Sequence, residues 1–108
     1  MANVFKSAQA ADVGTSYSTV YTVPSATTTV ILGMSLCNKT GATVKIDVLL
    51  KKAGTTDYQM LNQVEIPTGV TLEVLSGQKY IMQATDVIQV KSDALTSVDV
   101  VMGIMEIS

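Results

Sequence analysis

The sequence predicts an all-β protein: a compact antiparallel β-sandwich, Ig-like or jelly-roll-like, of roughly seven or eight short strands. Three observations carry this reading. Val, Ile and Thr make up 36 of the 108 residues, and their branched side chains suit a pleated surface. No long stretch carries apolar residues at helical spacing, whereas short period-two runs recur. Turn-forming residues separate those runs at roughly 8–12-residue intervals, the spacing of a sandwich or small barrel.

Residues 1 to 16 are mostly small and polar, with the large apolar pair Val4 and Phe5 near their start, and are expected to form an extended N-terminal arm. Such an arm either frays or docks on a neighbouring subunit through Phe5. The sandwich domain is expected over residues 17–108. Tyr17 to Val23 alternates, with Tyr17, Thr19, Tyr21 and Val23 on one face, and Pro24 ends it because proline donates nothing to a ladder. In Thr28 to Cys37, Val30, Leu32, Met34 and Leu36 are expected on one face and Ile31, Gly33, Ser35 and Cys37 on the other. Asn38-Lys39-Thr40-Gly41 reads as a turn rather than a glycosylation sequon. Thr43 to Lys51 points Val44, Ile46, Val48 and Leu50 inward and Lys45, Asp47 and Lys51 outward, the pattern of a sheet with one wet face. Ala53-Gly54-Thr55-Thr56 turns the chain into an extended run from Tyr58 to Ile66, and Pro67-Thr68-Gly69 turns it again. Thr71 to Leu75, Lys79 to Gln83 and Val87 to Lys91 are short strands. The last, Ser97 to Ile107, places Val98, Val100, Met102 and Ile104 on one face, while its other face becomes apolar at Val101, Met105 and Ile107.

Composition excludes much chemistry. The net charge is −2 and Arg is absent, which weighs against nucleic-acid binding. The longest apolar stretch, Val30 to Cys37, falls far short of the roughly 20 residues that span a bilayer, and the N-terminus has no signal-peptide pattern. No membrane partner is expected, and synthesis in a cytoplasm is. The single cysteine, Cys37, permits no internal disulfide and reads as a small buried hydrophobe. With no His, the usual metal sites and imidazole-based catalysis are excluded. The nine acids are scattered one per strand or turn, without the clustered oxygens calcium wants. Ser76 with Lys79 is a weak match to a Ser–Lys dyad. No catalytic, cofactor-binding or metal-binding residue is assigned. The expectation is a non-enzymatic protein with no cofactor and no small-molecule substrate.

Strands that are apolar on both faces need a cover that one core cannot supply. The candidate interface residues are Val4, Phe5, Ile31, Val101, Met105 and Ile107. An alternative is a carbohydrate- or surface-binding sandwich module, which requires exposed tyrosines among Tyr17, Tyr21, Tyr58 and Tyr80. Tyr17 and Tyr21, four apart on one strand, are expected to point the same way, either into the core and its rim or as a ligand strip.

Four stretches carry a family resemblance: the opening Met1-Ala2-Asn3-Val4-Phe5-Lys6; Tyr21-Thr22-Val23-Pro24 leading through Thr27-Thr28-Thr29 to Val30 and on to Asn38; Leu72 to Lys79 together with Asp86 to Ser92; and Val98 to Val101 running to Met105-Glu106-Ile107-Ser108. Over nearly the whole chain these resemble small virion structural proteins of tailed bacteriophages, including those infecting cyanobacteria. The resemblance implies a β-sandwich accessory protein of the particle, used in many copies as capsid decoration or cement or as a neck or tail subunit. Its partners would be itself and other virion proteins, and its location the virion, assembled in a host cytoplasm. The resemblance transfers no catalytic residue.

Overall fold

A computed structural model describes residues 3–75 and 78–108. Ser76 of the Ser76–Lys79 pair, Gly77 of the turn beside it and the first two residues of the arm lie outside that range. The described residues form nine strands and no helix: β1 (Asn3–Val13), β2 (Ser18–Thr22), β3 (Thr28–Asn38), β4 (Val44–Lys52), β5 (Thr56–Ile66), β6 (Thr71–Glu73), β7 (Tyr80–Met82), β8 (Val87–Ser92) and β9 (Val98–Ile107). One sheet runs β1-β9-β3-β6, with β7 pairing β3 beside β6, and the other runs β2-β8-β4-β5. All neighbours are antiparallel. This order, with the chain crossing repeatedly between the sheets, is a jelly roll.

The eight segments read as strands from residue 17 onward correspond to β2 through β9. Asn3–Val13 adds a ninth. It lies along β9 from Asn3↔Ile107 to Val13↔Val98, so within this chain the segment read as an arm is the edge strand of the first sheet. Its inner end is fixed: Val13 is fully buried, and its carbonyl accepts the Ser97 N–H at 3.0 Å.

Both sheets turn one face to a shared core that includes Met34, Leu36, Ile46, Val48, Ile88, Val90, Met102 and Ile104. Strands switch face along their length where the register shifts, β3 and β2 among them. In β3, Ile31 opposes Ile104 and Gly33 opposes Gly103, so Leu32 is an extra residue. A side-chain period of two cannot absorb one insertion without exchanging the faces. Thr29 and Ile31 point inward before the bulge, and Met34 and Leu36 after it. Ile31 is therefore core, 1% exposed, and not an interface residue, while Leu32, expected inside, is 38% exposed. In β2 the register shifts between Thr19 and Tyr21. Thr19 joins the outer face, where its hydroxyl accepts the Gln89 amide, and Tyr21 turns to the inner one. Tyr17 and Tyr21 consequently do not form one strip.

A bulge frees a backbone N–H, which needs a new acceptor. Carboxylates supply it. Asp99 accepts the N–H of Asp12 (3.0 Å) at the β1 bulge, and Asp12 itself has φ 57°. Glu73 accepts the N–H of Met34 (3.2 Å), just past the β3 bulge. Asp47 accepts the N–H of Gln63 (2.7 Å), where β5 holds more residues than β4 opposite. Asp47, expected on a wet face, is thus only 8% exposed. Asp86 serves the β4–β5 hairpin in the same way, accepting the N–H groups of Ala53 (2.8 Å) and Gln83 (2.9 Å) and the Lys52 ammonium (2.8 Å). Asn38 does so for two loops: its amide donates to the carbonyls of Ala42 and Ile66 (2.8 Å each) and its oxygen accepts the Thr40 N–H (2.9 Å). The sequon asparagine is thus a fully buried turn organiser.

The exchanged faces of β3 give a direct expectation. Ile31→Ala costs about 2–5 kcal/mol of unfolding free energy, as for other buried aliphatic truncations. Leu32→Ala costs no more than about 0.5 kcal/mol. Equilibrium urea unfolding of the two variants measures the difference.

Candidate interaction surface

The outer face of the β1-β9-β3 sheet carries a group of apolar residues for which the core has no room. Register alone assembles them into a row. Phe5 opposes Met105, Met105 opposes Val30, and Val30 opposes Ile81. The row crosses four strands, or roughly 14 Å at the usual interstrand spacing. Phe5 is 73% exposed and Ile81 66%, with Met105 and Val30 half-buried between them. Ile107 lies one step along β9 on the same face, and Val101, 51% exposed, two steps the other way.

Between the rows of Met105 and Val101 the face is bare. Ser7, Gly103 and Gly33 oppose one another there. Neither glycine has a positive φ. A Cβ built on Gly103 would meet nothing within 4 Å, and one on Gly33 only the Glu73 carboxylate oxygen at 3.9 Å. Glycine in a strand interior weakens the strand, and here no intramolecular crowding or turn requires it. The result is a shallow trough beside an apolar ridge. The half-buried Cys37 lies farther along this face, opposite Asp99 and Thr71.

The end of the sheet that presents Phe5 is held by a polar network. Glu106 on β9 pairs with Lys6 of β1 (2.9 Å) and accepts a hydrogen bond from the Tyr21 hydroxyl of the opposite sheet. Since that proton goes to Glu106, the Thr29 hydroxyl donates to the Tyr21 oxygen (2.9 Å). Four strands meet at this knot, and Lys6, next to Phe5, fixes the edge strand there. At the other end Lys39 bridges Asp12 and Asp99.

Of the six candidate interface residues, Phe5, Val101, Met105 and Ile107 are brought to one face. Val4 lies on the opposite side of β1 from Phe5, exposed near the strand end, and Ile31 is core. The sequence reading missed Val30, Ile81 and the glycine pair. Only the register of β3 with β7 and β9 brings them together.

No family model matches the chain, and no curated protein matches it. Among solved structures, it is similar to a chain of the Bacillus endospore appendages, a novel family of disulfide-linked pili. The TM-score is 0.61 at 10% identity, over 98% of this chain and 88% of that one. The likeness is one of fold.

The ionisable groups of the two polar knots, together with Asp86 at the β4–β5 hairpin, make stability pH-dependent. The hydrogen bond from Tyr21, then Lys6, holds the Glu106 carboxyl below its ordinary value. Lys39, then the Asp12 N–H, does the same for Asp99. Burial raises Asp86, but the Ala53 and Gln83 N–H groups and Lys52 together outweigh it, and the net shift is downward. For these depressed carboxylates the stabilisation is complete above their unfolded values, near 4, and is lost as pH falls through the lower folded ones. Tyr21 is pushed up to about 12, by burial first and then by Glu106. Its contribution is complete below its unfolded value of about 10 and disappears as pH rises towards the folded one. The melting temperature should therefore be flat between about pH 5 and 9 and fall on both sides. In Tyr21→Phe the alkaline fall should be reduced, which thermal melts across pH will show.

Proposed function

We propose that this protein is a non-enzymatic structural subunit that packs on copies of itself through the outer face of the β1-β9-β3-β7 sheet. The observation that carries the reading is the exposed row Phe5–Met105–Val30–Ile81 beside a glycine trough that the fold itself does not need. Contiguous exposed apolar surface of this kind marks interaction sites, and strand glycine suits close approach by another backbone. β1 and β5, the longest of the edge strands among the described residues, offer backbone groups for strand addition between copies.

The resemblance to phage virion proteins and the likeness to an endospore appendage both concern proteins of assembled structures. Both support a subunit used in many copies. The particular setting proposed is the virion, as decoration, neck or tail accessory protein, with other virion proteins as further neighbours. An extracellular filament is the setting the appendage likeness favours.

Sedimentation velocity over a concentration series tests the shared claim. The unmodified chain should form a defined oligomer. Ile81→Asp should weaken association at least about tenfold, or roughly 1.4 kcal/mol, with an unchanged melting temperature. Gly103→Val should fold at least as well, because its side chain enters open space and valine favours strands, yet associate less. A chain that stays monomeric at every concentration, or variants that associate like the unmodified chain, would overturn the reading.

A further inference from the structure

The outer face of the other sheet holds a polar cleft of about 400 Å³, within the ~300–1,000 Å³ usual for small-ligand sites. Its floor is Asp47 of β4 beside Lys91 of β8, which are register partners. Gln63 of β5, Thr15 of the β1–β2 loop, Lys45 and Asp93 also line it.

Three features set the cleft apart from an ordinary wet sheet face. Gln63 has φ 52°, a backbone conformation that costs a non-glycine residue about 1–3 kcal/mol and turns its N–H onto Asp47. Each aspartate is fixed by one oxygen to a backbone N–H, Asp47 to Gln63 (2.7 Å) and Asp93 to Lys45 (3.0 Å). Lys6, Lys39, Lys51 and Lys52 all pair with carboxylates. Lys45 and Lys91, with two aspartates lining the same cleft, make no ion pair among the described residues. The Lys91 ammonium instead lies over the Tyr17 ring, 4.8 Å from its centre. Tyr17 in turn is reached by the Gln59 amide from the far side of the sheet (3.4 Å).

We infer that this cleft binds an acidic saccharide, of the uronate class. The two aspartates have lone pairs left for hydroxyl donors, Gln63 and Thr15 add neutral donors and acceptors, and the lysines supply a carboxylate site. A compact anion such as phosphate offers the lysines a charge but sets itself against both carboxylates. A neutral sugar leaves the ammonium groups unused. A polyhydroxylated acid satisfies both sets. The site is on the sheet opposite the apolar row, so the inference does not depend on self-association.

The test is a titration of ¹⁵N-labelled protein with trigalacturonate and, in parallel, with its methyl ester, followed by amide chemical shifts. Saturable shifts are expected at Thr15, Lys45, Gln63 and Lys91. The ester, and the variant Lys91→Gln with the acid, should each bind at least about tenfold more weakly. Asp47→Asn should also weaken binding while the amide oxygen still accepts the Gln63 N–H, and circular dichroism checks that both variants are folded. No saturable shift up to about 10 mM ligand (a binding free energy weaker than ~3 kcal/mol), shifts confined to other residues, or equal binding of acid and ester would overturn the inference.

Discussion

A side-chain period of two is unforgiving: one extra residue in a strand exchanges its buried and exposed faces. Both candidate surfaces of this protein depend on where such insertions fall. The bulge at Leu32 brings Ile31 into the core and leaves Val30 outside, where it joins Met105 and Ile81. The shift between Thr19 and Tyr21 leaves Tyr17 on the face of the polar cleft and sends Tyr21 to the Glu106 knot. The irregularity of β5 fixes Gln63 over Asp47. Each interruption strands a backbone N–H, and a carboxylate beside most of them keeps the cost small. This accounts for acids scattered along the sequence rather than gathered in a site.

The strands were legible in the sequence because their alternation is local. The last strand, with Val98, Val100, Met102 and Ile104 inward, follows its pattern residue by residue. Asn3–Val13 was not legible as a strand, because its Ala, Ser and Gln side chains show no alternation and most of it is exposed on both faces. Its pairing with β9 is a long-range fact. Nor could the sequence place the bulge in β3: Ile31 and Leu32 are both apolar, and either could face in. The surfaces were less legible than the strands. Phe5, Val101, Met105 and Ile107 stood out as surplus apolar residues, but the row they belong to is completed by β7, and the cleft draws its residues from four separated segments. Register, which decides both, is written in no single stretch.

The two outer faces are chemically opposite. One is apolar near Phe5 and Ile81 and floored by glycine at Gly33 and Gly103. The other carries paired and unpaired charges around Asp47 and Lys91. A subunit that buries the first face against its neighbours leaves the second in solvent, once per copy. In an array, weak single contacts at repeated clefts would add as avidity. Self-association and ligand binding can then coexist on one small jelly roll without competing for the same residues.

The proposed self-association puts Met105 at the contact between copies. Methionine-methyl NMR over a dilution series measures this within one sample, since Met34 and Met102 are buried in the core and serve as internal references. The Met105 resonance should shift or broaden with rising concentration while Met34 and Met102 stay fixed. A native mass that rises while the Met105 signal does not move would place the interface elsewhere and contradict the account.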